Sequence, residues 1–519
     1  MSKGLENQRF KLDQLFREGK PGPLRLFKRN KAIQSQHKTL RMLLTEAKNT
    51  IFGKEYNFTE ILNLDELEVA YQAVPISSYL AMKPYWQRAY EGEENVCWPG
   101  QISYFALSSG TTDASSKYIP VTDKMLKNIK KASVRQLFHV AKTDLPKDYL
   151  TKNYLFVGGS TDLEFNGNNF SGDLSGITTS NIPVWMRRFS KPEPHIRNQK
   201  EWDHKINMMV EQAPNWDVAM IAGVPAWIQM LFERIIKTYD LNTIHDMWPH
   251  LCVYVHGGVS FKPYQQSFEK YLAKPLKYFE TYLASEGFIA FQVREQDKGM
   301  RLVFRNGVYY EFIPFNEMNF DSNGDVRTGA SIINVSQIKP DVDYAIVITT
   351  CSGAWRYILG DTIRFINTDK FEMVITGRTK HFLSLCGEHL SVENMNAAIV
   401  ALSEELGHEI TEFTVKGTIQ NGHFGHQWYL ACDEALDVDF VKTRLDKLLK
   451  EANDDYRVER KFALRNIELT VLPKSAFIDW MEQRGKLGAQ NKFPRVMNDQ
   501  LYASWLAHVK QNSALHVDA

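Results

Sequence analysis

The chain has 519 residues, 44% hydrophobic and 24% charged, which suits a soluble globular enzyme with one large layered body and at least one smaller domain. Its 62 Lys and Arg against 61 Asp and Glu leave a net charge of +1, which excludes any strong long-range pull toward nucleic acid or acidic lipid. Cys97, Cys252, Cys351, Cys386 and Cys432 form no Cys-x-x-Cys pair, and no stretch reaches the roughly 18 apolar residues of a membrane span, so a reduced, cytoplasmic protein is expected.

Residues 1–8 carry no apolar leader segment. Two helices are predicted between residues 5 and 50, separated by the break at Pro21 to Pro23, the second running from about Lys31 to Lys48. A loop follows at Val74-Pro75-Ile76-Ser77-Ser78-Tyr79. The chain then reaches Ile102 to Pro120, where a β-like run opens into Ser108-Ser109-Gly110-Thr111-Thr112 and closes on Lys117. Small residues let backbone N–H groups approach an anion, hydroxyls add donors and lysine adds a point charge, so the stretch reads either as a polyphosphate loop or as a Ser/Thr-rich surface connection. It is not a Walker loop, because Lys117 is followed by Tyr118.

Thr122-Asp123 caps a predicted helix bearing Leu126, Ile129, Leu137 and Val140. Strands are expected at Tyr154 to Ser160, near Val218, at Leu251 to Gly258 and at Leu276 to Tyr282, alternating with helices after Gly223 and from Phe261 to Ala273. This alternation predicts an α/β body with a largely parallel sheet and ligands at the strand ends. The Gly- and Asn-rich stretch Phe165 to Asn181 reads as a long loop. Strands dominate from Arg301 to Asn367, predicting a β-rich, barrel-like subdomain. After a boundary at Val374 to His381, a compact α+β unit is expected: a helix from about Val392, a hairpin from Ile410 to Ala431, a helix from Asp439 to Ala452, a strand from Ile467 to Leu472 and a helix from Ser475 to Arg484.

Glu280 to Gly287 ends a predicted strand. There Tyr282 offers an aromatic face and Glu286 is either a carboxylate ligand for Mg²⁺ or a solvated turn residue. In Trp355 to Asp361, Asp361 after Gly360 suits a ribose diol, or closes an ordinary turn. Gly377-Arg378-Thr379-Lys380 and Gly488 to Arg495 read as basic turns unless they join a site. His245, His250 and His256 lack metal-ligand spacing, and no Gly-x-Ser-x-Gly elbow supplies a nucleophile.

Taken in order, these segments resemble the auxin-responsive acyl-acid amido synthetase family of adenylate-forming enzymes. The likeness includes Thr50, Gly53, Val74-Pro75-Ile76, Tyr79, Tyr309-Tyr310-Glu311-Phe312 and the lysine-proline-arginine ending. Ala114 stands where the family usually has glycine, and Ile358 where it usually has arginine. The resemblance implies ATP-dependent conversion of a carboxylic acid to acyl-AMP and pyrophosphate, then amide formation with an amino acid or other amine.

By matched position it assigns Ser108, Ser109, Gly110, Thr111, Thr112 and Lys117 to phosphate. Tyr282 goes to adenine, Ser285 to phosphate, Glu286 to Mg²⁺, Asp361 to ribose and Arg378 to the ribose side of a hinge. Gly258, Val259 and Tyr309 become nucleotide-wall candidates, and Lys492 the mobile-domain lysine of adenylation. Residues 1–377 would form the adenylation domain, 378–381 the hinge and 382–519 the mobile domain. Arg135 either meets a second substrate carboxylate or lies on the surface. An acyl-CoA synthetase and a non-catalytic nucleotide-binding protein are the alternatives.

Overall fold

The computed structural model describes residues 29–108, 117–146, 148–182, 184–258, 261–321, 324–379, 382–383, 388, 390–420, 423–453, 456–457, 460, 464–486 and 493–515. The first expected helix, the Ser109 to Thr112 loop, Val259 and Lys492 lie outside the described residues.

A twelve-stranded sheet organises the large body. In one half, Ser190–Lys191, Asn153–Val157, Val218–Gly223, Val253–Gly257 and Lys277–Ala284 run parallel. Their apolar runs are covered by helices such as Pro225–Tyr239, which starts on a proline and buries Trp227, Ile228, Leu231, Phe232 and Ile235. The helix Asp123–Val140 begins where the Thr122 hydroxyl accepts a bond of 3.1 Å from the Met125 N–H. That same hydroxyl donates to the Cys351 carbonyl, tying the helix start to the far half of the sheet.

The other half is antiparallel: Gly287–Phe291, Met300–Leu302, Glu372–Arg378, Tyr357–Asn367, Asp343–Thr350, Val308–Pro314 and Ile333–Asn334. These strands carry the expected β-rich region, but they continue the parallel sheet edge to edge. A side-chain contact shows that this half curls. Tyr282 and Asp361 are hydrogen-bonded although their strands stand four places apart in the sheet, a separation of about 19 Å if the sheet were flat.

The stretch expected as a loop, Phe165 to Asn181, contains the strand Phe170–Gly172 and the helix Leu174–Ser180. Its glycines serve close packing as well as turning: a Cβ on Gly176 would lie 2.0 Å from the Ser160 carbonyl oxygen. The strand joins a second sheet with Tyr104–Ser108, Lys117–Val121 and Glu164–Phe165.

Beyond Leu383 a separate core forms around the sheet Phe413–Gln420, His423–Ala431 and Leu464–Leu472. The helices Val392–Leu406, Val438–Ala452 and Lys474–Gln483 pack with it, joined by Asp499–Leu515, which the sequence reading did not anticipate. No helix among the described residues is long and apolar enough to cross a membrane.

Candidate active site

A cavity of about 1260 Å³ opens at the C-terminal ends of the parallel strands, where the curled half of the sheet meets the C-terminal unit. Ser285 and Glu286 are the two turn residues of the hairpin joining Lys277–Ala284 to Gly287–Phe291. Asp361 lies within an eleven-residue strand rather than at a strand end, directly opposite Arg378 in the neighbouring strand. Gly360, at φ +83°, precedes it, and the ladder shifts register just after it, between Thr362 and Ile363. This local irregularity bends the strand at the residue aimed into the cavity.

The polar groups form one network. The Arg378 Nε lies 2.8 Å from Asp361 Oδ1, and the Tyr282 hydroxyl donates to Asp361 Oδ2. Asp361 therefore has both oxygens engaged by residues from two other strands. Its proximity holds the Arg378 guanidinium more firmly protonated, although that side chain remains 41% exposed. Burial, reinforced by the Asp361 charge, pushes the Tyr282 phenol well above its ordinary range.

Glu286 faces the same space. Burial raises its carboxyl above the ordinary glutamate range and Asp361 adds to the rise, while its own backbone N–H and the Lys117 and Arg378 cations oppose it. The Tyr357 phenol, raised chiefly by burial and further by the Glu286 charge, lines the same cavity. Lys117 opens its strand with Nζ 5.3 Å from the centre of the Tyr79 ring. Lys117, Gly258, Tyr282, Ser285, Glu286, Asp361 and Arg378 thus line one cavity.

Tyr309 does not join them. It is 2% exposed in the core, edge to face with Tyr71, and lies outside the cavity wall. Arg135 donates to the Phe304 carbonyl at 3.0 Å and also stays outside the cavity. Ser108 ends the strand Tyr104–Ser108. The sequence reading missed Tyr357, although Tyr357, Leu359 and Asp361 share the period of two that puts strand residues on one face. It also missed the C-terminal wall, where Glu412 accepts from the Tyr264 hydroxyl at 2.7 Å and from Arg495 Nη1. No sequence spacing links these three residues.

Three models of one family match the chain in order: the GH3 family N-terminal domain at residues 26–164, the central domain at 301–375 and the C-terminal domain at 393–501. Together they cover more than half of its length. The chain belongs to the GH3 family. Among its GH3 relatives, jasmonoyl–L-amino acid synthetase JAR4 of Nicotiana attenuata is 23% identical, over 89% of this chain and 90% of its own. Indole-3-acetic acid-amido synthetase GH3.10 of Arabidopsis thaliana is 22% identical, over 89% and 92%. A solved structure of GH3.15 acyl acid amido synthetase shares the fold with a TM-score of 0.75 at 17% identity, covering 92% of this chain and 93% of that one. A 2-hydroxyisobutyryl-CoA ligase in complex with 2-HIB-AMP shares it at 0.60 and 13% identity, covering 93% and 92%.

GH3 membership also gives meaning to the matched residues that lie away from the cavity. Thr50 caps the helix Ile51–Glu55 by accepting from the Gly53 N–H, and a Cβ on Gly53 would lie 2.1 Å from the Ala47 carbonyl oxygen. The Val74 carbonyl accepts from Arg356, whose guanidinium is paired with Glu311 of the Tyr309 to Phe312 run. These residues hold the scaffold.

Proposed function

We propose that this chain is an ATP-dependent acyl-acid amido synthetase, a ligase that forms C–N bonds. The observation that carries the reading is the convergence of Tyr282, Ser285, Glu286, Asp361 and Arg378 on one cavity in a GH3 chain. At about 1260 Å³ that cavity exceeds the roughly 300–1,000 Å³ usual for a single small ligand, leaving room for a nucleotide beside an acid.

In the first step a carboxylate oxygen of the acid attacks the α-phosphorus of ATP. The new P–O bond forms as the α–β anhydride breaks, and pyrophosphate leaves. In the second step a neutral amine attacks the acyl carbon, loses its proton and expels AMP. Both nucleophiles come from substrates, so the protein's task is alignment and charge neutralisation. Asp361 would hold the ribose hydroxyls, Tyr282 the adenine side, and Ser285, Lys117 and the Ser108 to Thr112 loop the phosphates, with Lys492 neutralising charge during adenylation.

Glu286 fits a Mg²⁺ site of the kind this chemistry uses: a half-buried carboxylate facing the cavity, with no cluster of three or more His, Cys, Asp or Glu among the described residues. Mg²⁺ takes one or two carboxylates and completes its shell with phosphate and water. Bound there, it would screen the phosphate charge. Residues 382–519 would turn about 378–381 between the steps, and Cys97, Cys252, Cys351 and Cys432, all free thiols, suit a cytosolic setting.

The test is a pyrophosphate-release screen of carboxylic acids with ATP, crossed with the amino acids and with coenzyme A. Acid-dependent release with an amide product supports the reading. Release coupled only to coenzyme A favours an acyl-CoA synthetase, the reading that the fold shared with the CoA ligase keeps open.

A further inference from the structure

Side chains alternate between the two faces of a strand, so Tyr282, bonded to Asp361, points to one face of Lys277–Ala284 and Thr281 to the other. The strand pairings carry that second face across the sheet. Thr281 lies opposite Gly257, two residues beyond Val255, and Val255 lies opposite Ala222, two residues beyond Met220. The helix Asp123–Val140 covers this face, packing Leu137 and Val140 against Met220 and Val255. Toward the strand ends Ala222 and Gly257 place little or no side chain between sheet and helix, and all of these residues line the cavity. If the nucleotide takes the charged quartet Tyr282, Glu286, Asp361 and Arg378, the acyl group enters the apolar space between helix and sheet.

A neutral polar pair stands in that space. Gln136, on the same helix as Leu137 and Val140, is 6% exposed and lines the cavity. Its Nε2 donates to the Thr281 hydroxyl at 2.6 Å. Its Oε1 accepts from no described residue, yet it is not among the side-chain atoms sealed in the interior without a partner. A buried amide normally satisfies both of its ends, so a carbonyl oxygen left open on a cavity wall is a place for a ligand's donor. The Thr281 hydroxyl accepts from Gln136 and has its own proton to give, so the pair offers an acceptor and a donor side by side. A substrate hydroxyl, which both donates and accepts, matches the two. Thr281 precedes Ser285 by four residues, at most about 13 Å at roughly 3.3 Å per residue. The matching hydroxyl therefore lies toward the far end of an acid whose carboxylate meets the α-phosphorus near Ser285.

Resting on the amido-synthetase reading, we propose that Gln136, with Thr281 beside it, is the specificity-determining residue for the acyl acid, selecting an apolar monocarboxylic acid with a hydroxyl group remote from its carboxylate. A site that hydrogen-bonds a substrate hydroxyl discriminates against the analogue lacking it, because the site's own polar atoms are then left unpaired.

The experiment uses the full-length protein with ATP and MgCl₂. Pyrophosphate release is measured for 3-phenylpropanoate and its 2-, 3- and 4-hydroxyphenyl isomers, and for octanoate with 8-hydroxyoctanoate. The wild-type protein should favour at least one hydroxylated acid over its parent by about tenfold in kcat/KM, expressed mainly in KM. Gln136→Met, which keeps the length of the side chain but no hydrogen-bonding amide, should bring that ratio close to one while release with the parent acid persists. Thr281→Val should lower the ratio in the same direction, and Thr281→Ser, which keeps the hydroxyl, should preserve it. An unchanged ratio in Gln136→Met, the mark of a structural tie that serves every acid alike, overturns the proposal, as does a wild-type protein that favours no hydroxylated acid over its parent. Should Gln136→Met fail to fold, Thr281→Val is judged by the same ratio. Absence of pyrophosphate release with every acid overturns the synthetase reading itself, whereas release with an unaltered ratio overturns only the role of Gln136.

Discussion

Replacing Glu311 by Gln should cost the large domain about 3–5 kcal/mol, the range for removing one partner of a buried ion pair. Arg356 and Glu311 are 1% and 4% exposed and meet through two bonds, Nε to Oε2 at 3.0 Å and Nη2 to Oε1 at 2.8 Å. Nη1 of the same guanidinium donates to the Gln72 and Val74 carbonyls. Glutamine preserves the volume but removes the charge, leaving a guanidinium that cannot shed its proton. Burial raises the Glu311 carboxyl despite the adjacent Arg356, so desolvation is only partly offset even in the intact pair. The double variant Glu311→Leu/Arg356→Met should therefore be more stable than Glu311→Gln alone, while still losing the two carbonyl contacts. Urea unfolding followed by tryptophan fluorescence measures this, with Trp355 buried beside Arg356 as a local reporter. A loss below about 1 kcal/mol in Glu311→Gln, or a double variant as unstable as the single, would refute the reasoning. Arg356, at φ +43°, leads directly into the strand carrying Tyr357 and Asp361, so KM for ATP should rise in the single variant as well.

Glu286→Gln should abolish most acyl-AMP formation and alter the pH dependence of stability. The folded carboxyl is raised above the ordinary value of 4.5, so the folded state holds its proton longer than the unfolded one and stability falls as pH rises through that window. The variant lacks this decline, and nucleotide-free Tm curves should separate above pH 4.5 in its favour; parallel curves would count against a raised Glu286 carboxyl. Gly257→Ala would place a Cβ 2.4 Å from the Thr281 carbonyl oxygen, forcing apart the two strands that meet at the cavity rim. A loss of about 1–3 kcal/mol, with weakened nucleotide binding by calorimetry, is expected. Lys492→Ala should slow acyl-AMP formation and spare amide formation from supplied acyl-AMP, and equal loss in both half-reactions would argue against its assigned role.

Local chemistry made much of this architecture legible. Thr122-Asp123 announced its helix, the apolar runs near Val218 and Leu251 announced parallel strands, and Ser285-Glu286 appeared where a strand should end. What failed to show depended on pairing across the sheet. Asp361 read as the end of a strand because its Gly360 neighbour signals a break, yet its pairing with Arg378 carries the strand through it. Tyr309 read as a site residue because it travels with Tyr310 to Phe312, whereas its contact with Tyr71 makes it part of the core. The wall formed by Tyr264, Glu412 and Arg495 joins residues 148 and 83 positions apart, and no local pattern encodes it.

The bond between Tyr282 and Asp361 is made by strands that are not neighbours, so the shape of the polar end is stored in the curvature of the backbone ladder rather than in flexible connections. A substitution that flattens or tightens that curvature alters the spacing of the charged groups without touching any of them. Leu137 and Val140, by contrast, face the cavity from a helix laid on the sheet, where side chains can change without disturbing the ladder. The fold thus separates a part whose dimensions are held fixed from a part free to diversify.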